Sequence, residues 1–403
     1  MSVTNSLDAL ARGAERPRQE TLAFNQLDTT RASAVHRFAA LVQEFWPAGK
    51  LLLLKWYLVS ILIAFLPFAM TLRVSSVPIF TRSAHHTLPF FWDANILFMI
   101  FISFPCICIL TATDQPVLIN SLRMVQADGT LVISEIDQRD ISERWNRIFR
   151  LTNVVGQLFG LFLGALIARI NIIAYTQPHV GYWITDAAGK MQPIGFAFAF
   201  FIFIVYALAT VYVSRNVTIA FLLNDIVARS TLNILPFHPD QSGGLRAVGE
   251  LGLRNQYTLT LVGLNLVLLV AWSYMFLTIP KQLDGLIVAA CVAYLLLGPV
   301  VFAGPLLPFR AAMRENKDKV MGEVAQRMKR ELDHLREQIP SGPISEQDLL
   351  LIDRLRKISD FADELPVWPF NAFTLKKFMS AYIIPIVSSA SYPVVRFLLQ
   401  HLR

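Results

Sequence analysis

The chain has 403 residues, of which 54% are hydrophobic, 29 are Phe and only 16% are charged. Soluble domains carry about 25% charged residues, so the composition excludes an ordinary soluble globular protein and points to the bilayer. A net charge of +7 in such a chain signals cytoplasmic loops beside anionic lipid, not a nucleic-acid partner.

Residues 1–50 are mixed in charge and read as a mobile cytoplasmic tail, with one amphipathic piece near 33–46 and no cleavable signal. The first span is 51–72. Lys55, Trp56 and Tyr57 lie near its start, where a lysine can snorkel and aromatics favour the interface. A loop over 73–94 carries His85-His86 and leads to a second span, 95–113, which Pro105 should kink. Residues 114–150 are polar. Within them 124–132 reads as a small hairpin about the Asp128-Gly129 turn, and an amphipathic helix from 141 runs into the third span, 151–175. There Gly156, Gly160, Gly164 and Ala168 recur every four residues, the spacing that lets two helix backbones approach closely in lipid. The stripe leaves open whether its partner is in the same chain or another.

The fourth span, 195–213, continues past Arg215 as a helix to about 230. A polar loop over 236–245 precedes the fifth span, 257–279, which holds Asn265. A tight turn at 280–285 leads to the sixth span, 286–309, which Gly298-Pro299 and Gly304-Pro305 should break or bend. In 310–371, Met321, Val324, Met328, Leu332, Leu335 and Ile339 recur at helical intervals, and Leu349, Ile352, Leu355, Ile358 and Phe361 begin a second such face. Residues 372–403 are apolar but hold Pro385 and Pro393, so the segment spans, re-enters or lies in the interface. Cys106, Cys108 and Cys291 all fall in apolar runs and read as packing residues.

The expected fold is an all-α polytopic bundle of six or seven transmembrane segments. It comprises a tail (1–50), a six-helix membrane domain (51–309) with cytoplasmic loops 114–150 and 223–256, a cytoplasmic helical hairpin (310–371) and the C-terminal apolar segment (372–403). The tail holds six Lys and Arg and 114–150 holds five, against four in the loops 73–94, 177–192 and 280–285 together. The positive-inside rule then places the N-terminus in the cytoplasm.

The loop before the fifth span gathers residues of special geometry. Asp240 and Ser242 can accept hydrogen bonds from free N–H groups at the next helix start, Gly243-Gly244 permits unusual backbone, and Arg246 follows. With His238 these form either a capped turn or a grip for a phosphate or carboxylate. A metal needs three or four ligands, and none is expected here; no cofactor fingerprint is present either. Among polar residues inside apolar runs, Arg169 and Asn265 are the best placed to line a pathway. The competing readings are snorkelling for Arg169 and a helix-to-helix hydrogen bond for Asn265. Gln157 and Asn153 are placed less well.

The run His238-Pro239-Asp240-x-x-Gly243-Gly244-Leu245, followed by Trp368-Pro369-Phe370 before a proline-broken apolar tail, resembles a group of bacterial multi-pass membrane proteins of no assigned activity. The resemblance covers roughly 150–400. It implies the bacterial inner membrane and a shared fold, and transfers no catalytic residue. The leading expectation for function is a channel or transporter-like homo-oligomer in contact with membrane lipids. One alternative is a signalling or scaffold protein whose segment 310–371 binds a cytoplasmic partner. The other is a membrane enzyme acting on a lipid or phosphorylated substrate at His238 and Asp240.

Overall fold

A computed structural model describes residues 24–38 in part, 52–76, 79–80, 88–177, 180, 182–186, 188–234, 238, 240, 242–276, 281–338, 346–363, 365–370 and a few positions between 376 and 383. His85 and His86, residues 277–280 and most of the C-terminal apolar segment lie outside these; of the turn expected over 280–285, residues 281–285 are helical instead. The fold is almost entirely helical. In chain order its helices are α1 (Leu52–Leu72), α2 (Ala94–Ala112), α3 (Asp114–Ala127), α4 (Glu135–Tyr175), α5 (Pro193–Ala228), α6 (Arg246–Phe276), α7 (Lys281–Ala303), α8 (Leu307–Gln338) and α9 (Glu346–Asp363). Among the described residues, five helices are long and apolar enough to cross a membrane: those of α1, α2, α4, α5 and the α7–α8 run. The expected fifth span falls on α6, whose continuation over 277–280 is not described.

The outer surface agrees with a membrane setting. On α1, Leu54, Leu58, Leu62, Leu66 and Met70 are exposed at strict four-residue spacing, and α4 and α7 carry similar exposed faces (Leu158 and Phe162; Val288, Val292 and Leu296). Water-soluble proteins rarely present apolar surface on this scale.

The longest packing seam joins α4 to α5. The small-residue stripe supplies it: a Cβ built on Gly160 would lie 2.7 Å from the Ala207 carbonyl oxygen, and one on Gly164 would lie 2.6 Å from that of Phe203. Gly156 meets the Ser214 side chain, and Ala168 is buried in the same seam. The partner of the stripe is therefore a helix of the same chain.

Helix α2 is not uniform. Its middle, Met99–Ser103, is a π-helical turn. Pro105 lacks an N–H, and its ring would clash with the carbonyl four residues back; the widened turn relieves both. The seventh helix ends at a 3-10 turn, Gly304–Leu306, before α8. Pro299 stays inside α7, so the break comes only at the second Gly-Pro pair.

Three expectations are corrected. Residues 124–132 do not form a hairpin. The chain stays helical to Ala127, and Gly129, at φ 73°, terminates it: Gly129 N–H bonds the Gln126 carbonyl and Thr130 N–H bonds that of Val125, the paired bonds of a Schellman cap. Leu131–Val132 then pairs antiparallel with Thr231–Leu232, a hundred residues on. Lys55 does not snorkel: it is 3% exposed. Nor is the whole N-terminal region a free tail. Phe24 and Leu27 are inserted into the core beside α3, α4 and α5, and Asn146 pins the segment by accepting from Asp28 N–H and donating to the Gln26 carbonyl. Two apolar side chains and a set of polar groups with partners inside the bundle outweigh the polar composition of the stretch.

Candidate functional site

Buried apolar residues fall into two clusters. One holds Phe68, Phe90, Ile100, Trp183 and Phe198; the other holds Phe24, Leu122, Trp145, Leu222 and Phe309. Helix α2 packs into the first and leads directly into α3, which packs into the second, and a buried carboxylate sits at each end of α2.

At the start of α2, Asp93 is the N-cap. Its carboxylate accepts from Ile96 N–H (3.1 Å), from Trp183 Nε1 (3.1 Å) and, through a short bond, from the Tyr182 hydroxyl. An N-cap acid satisfies helix donors that have no partner within the helix. Burial pushes the Asp93 carboxyl above the ordinary carboxylate range despite these three donors. Tyr182 stacks on Tyr175 with centroids 4.3 Å apart, and Trp183 packs edge-on against Phe90 at 5.0 Å. This end is an aromatic plug fixed to a carboxylate.

At the other end, Asp114 follows directly on α2. Arg215 of α5 is completely buried and donates from Nε to Asp114 Oδ2 (2.7 Å), from Nη1 to the Thr29 carbonyl (2.7 Å) and Asn153 Oδ1 (3.0 Å), and from Nη2 to Thr29 Oγ1 (3.2 Å). The second Asp114 oxygen meets His36 Nε2 at 3.1 Å, and His36 Nδ1 meets Ser33 Oγ at 2.9 Å. Burial would raise the Asp114 carboxyl, but the Arg215 charge and the His36 contact hold it below its ordinary value. Arg254 of α6 bonds the Leu110 carbonyl and Thr113 Oγ1 (2.6 Å), tying the end of α2 to α6. Three helices, α3, α4 and α5, and the N-terminal segment thus converge on one buried ion pair.

Between these ends lies a cavity of about 220 Å³ walled by α2, α4, α5 and α6, with Ala290 of α7 at its edge. Its lining is mostly apolar (Ile96, Met99, Ile107, Phe198, Ile202 and Leu266 among others), with Asn95, Asn171, Asn265, Ser103 and three tyrosine rings. No lining residue carries a charge. Asn265 donates from Nδ2 to Ser103 Oγ (2.5 Å) and to the Leu261 carbonyl (3.1 Å). A carbonyl can only accept, so this pair of bonds fixes which amide atom is nitrogen. Its Oδ1, like that of Asn95, is buried and has no hydrogen-bond partner among the described residues. The chain matches no family model, no curated protein and no solved structure.

The polar loop before α6 resolves differently. Asp240 accepts from Ser242 N–H (2.8 Å) and Gly244 N–H (3.1 Å) on Oδ1, and from Arg246 N–H (3.1 Å) on Oδ2. His238 Nδ1 sits 2.7 Å from the same carboxylate, and Ser242, itself buried, donates to the Asp240 carbonyl (3.3 Å). Gly243 and Gly244 adopt φ 65° and 88°. The N–H groups that would grip an anion are already engaged by Asp240, so the loop is built as a capped turn. Pro236, Phe237, Pro239 and Gln241 lie outside the described residues.

Two measurements follow from this loop. A Cβ on Gly244 would lie 2.0 Å from Thr130 Oγ1 at a backbone angle that L residues rarely adopt, so Gly244→Ala should cost about 1–3 kcal/mol, read as a lowered melting temperature in detergent. Asp240 is the second. Burial raises its carboxyl, but the three backbone donors and His238 outweigh it and hold it below the ordinary 3.8. A carboxyl depressed in the fold stabilises fully above its unfolded value and loses that contribution as pH falls through its folded value. Asp240→Asn should therefore melt lower than the wild type at pH 7, with the gap closing below about pH 4. A gap independent of pH would rule this account out.

Of the other sequence candidates, Arg169 is exposed on the outer face of α4, six residues from its end. Asn265 faces the cavity. Arg215, Asp114, His36 and Thr29 were not singled out by sequence. Asn153 was noted and belongs with them. Among the described residues, no group of three or more His, Cys, Asp and Glu side chains is placed to hold a metal.

Proposed function

We propose that the protein is a multi-pass inner-membrane protein of six or seven spans, with its N-terminus in the cytoplasm, that moves a small solute through the α2–α6 cavity. The observation that carries this reading is the cavity's position: one chamber between two separately latched ends of the same helix. A carrier needs a central chamber that can open to either side in turn, and irregular helices commonly build such chambers. The π turn of α2 lies in the wall, and its Ser103 is bonded to Asn265. The aromatic plug on Asp93 closes the chamber outward in this topology. The Arg215–Asp114 pair, with the N-terminal segment laid across it, closes it inward.

The capped turn at Asp240 gives no support to an enzyme reading, since its donors are engaged. The small-residue stripe gives none to self-association, since α5 covers it. The test is uptake into proteoliposomes of a panel of uncharged metabolites and short amphiphiles by wild type and by Asn265→Leu. Uptake of at least one compound should occur and fall by about tenfold or more in the variant, the order expected from losing one buried hydrogen bond. No uptake of any compound by the wild type would overturn the transport reading.

A further inference from the structure

We propose that the cavity takes the hydroxyl end of an uncharged amphiphile that enters sideways from the bilayer, between α6 and α7. The inference rests on reading the cavity as a ligand site and adds the class of ligand and its route.

The class follows from the lining. No charged side chain borders the cavity, so an ionic group would enter without a counter-charge, which is strongly unfavourable in an apolar interior. The two buried lining atoms without a hydrogen-bond partner are both amide oxygens. Asn95 Oδ1 and Asn265 Oδ1 are buried acceptors with no partner among the described residues, and the bonds from Asn265 Nδ2 to Ser103 and Leu261 prevent its amide from turning to offer a donor instead. A buried acceptor without a donor has lost its bond to water with nothing in return, which is unfavourable. The complementary ligand therefore donates a hydrogen bond and is otherwise apolar, as an alcohol is. An ether of the same shape can only accept and does not complement these oxygens.

The route follows from exposure. Val262 of α6 and Ala290 of α7 both line the cavity and are both exposed. Leu264, Val288 and Val292, on the same two helices, are exposed as well and form part of the apolar exterior. The mouth thus opens onto the surface that lipid would cover, not onto either aqueous end. At about 220 Å³ the chamber is smaller than the roughly 300–1,000 Å³ of sites that engulf drug-sized ligands. A long-chain molecule fits with its hydroxyl inside at Asn265 and its tail leaving through the α6–α7 mouth.

The experiment uses the full chain in detergent and a decanol carrying a photoreactive diazirine, with labelled positions mapped by mass spectrometry. Labelling should concentrate on α2 and α6 residues of the cavity. Unlabelled 1-decanol should compete about tenfold better than decyl methyl ether, the difference one added hydrogen bond makes. Decyl sulfate should compete no better than the ether. In Asn265→Leu the preference for the alcohol should vanish. Should that variant fail to fold, Val262→Trp, at the exposed mouth, should lower cavity labelling while leaving the melting temperature unchanged. Labelling spread evenly over the outer helix faces, or equal competition by alcohol and ether, overturns the proposal. Because labelling does not depend on flux, a labelled cavity without transport rejects only the transport reading, and transport of a different solute without alcohol preference rejects only this one.

Discussion

Replacing Arg215 with methionine should destabilise the protein by about 3–5 kcal/mol, the range for breaking one partner out of a buried ion pair. The guanidinium makes four hydrogen bonds in a site with no solvent access. Its removal leaves the buried Asp114 carboxylate without its cationic partner, with only His36 beside it, and strips partners from Thr29 and Asn153. The expected result is a sharp fall in the melting temperature of the detergent-purified protein. Adding Asp114→Asn to Arg215→Met should recover part of the loss, because no net buried charge then remains. In a double-mutant cycle the two substitutions should couple by more than about 1 kcal/mol, as residues in one network do. A melting temperature within a degree of wild type for Arg215→Met alone would remove the ion pair from any account of this fold.

The second large effect is expected at the α4–α5 seam. Gly164→Leu would place a Cβ 2.6 Å from the Phe203 carbonyl oxygen and three further carbons beyond it. That oxygen belongs to helix backbone and cannot swing aside, so the two helices must separate along their longest contact. Overpacking of this kind costs about 3 kcal/mol, and here it also opens the wall of the cavity that α4 and α5 share. Loss of the monodisperse peak in gel filtration and a lower melting temperature are expected together. Phe162→Ala is the control. That side chain is 64% exposed on the opposite face of α4, and its removal should change stability by no more than about 0.5 kcal/mol. If the control is the more damaging of the two, the seam is not where α4 gains its stability.

Features carried by local pattern were legible in the sequence. The apolar runs, the four-residue stripe on α4 and the break at Gly304-Pro305 each follow from composition or spacing within a few turns. The network around Arg215 was not. Its members come from positions 29, 36, 114, 153 and 215, and no local pattern links them. Asp114 read as the first residue of a polar loop, and Arg215 as a charge just past an apolar run. Beside its own neighbours neither residue is distinctive; the physical signal is their matching depth, opposite charges at the ends of two apolar runs. The Asp128-Gly129 pair failed for another reason. A glycine with positive φ serves a hairpin turn or a helix C-cap equally well, and only the partner of Leu131–Val132, far along the chain, decides between them. The stripe was seen, but nothing in its spacing could say whether its partner was internal. The loop at Asp240 was read with the right residues and two possible roles, and the direction of its hydrogen bonds separates them.

Ala94–Ala112 comprises 19 residues, which rise about 28 Å, close to the roughly 30 Å hydrocarbon thickness of a bilayer. Asp93 and Asp114 clamp this rod at top and bottom to groups on other elements, so it has little freedom to tilt. Helices in lipid usually absorb a change in membrane thickness by leaning. Here a thinner bilayer must either deform around the protein or draw one carboxylate out of its clamp. The protein is in that sense a gauge block for the membrane it occupies, and acyl-chain length becomes a variable that selects which end lets go.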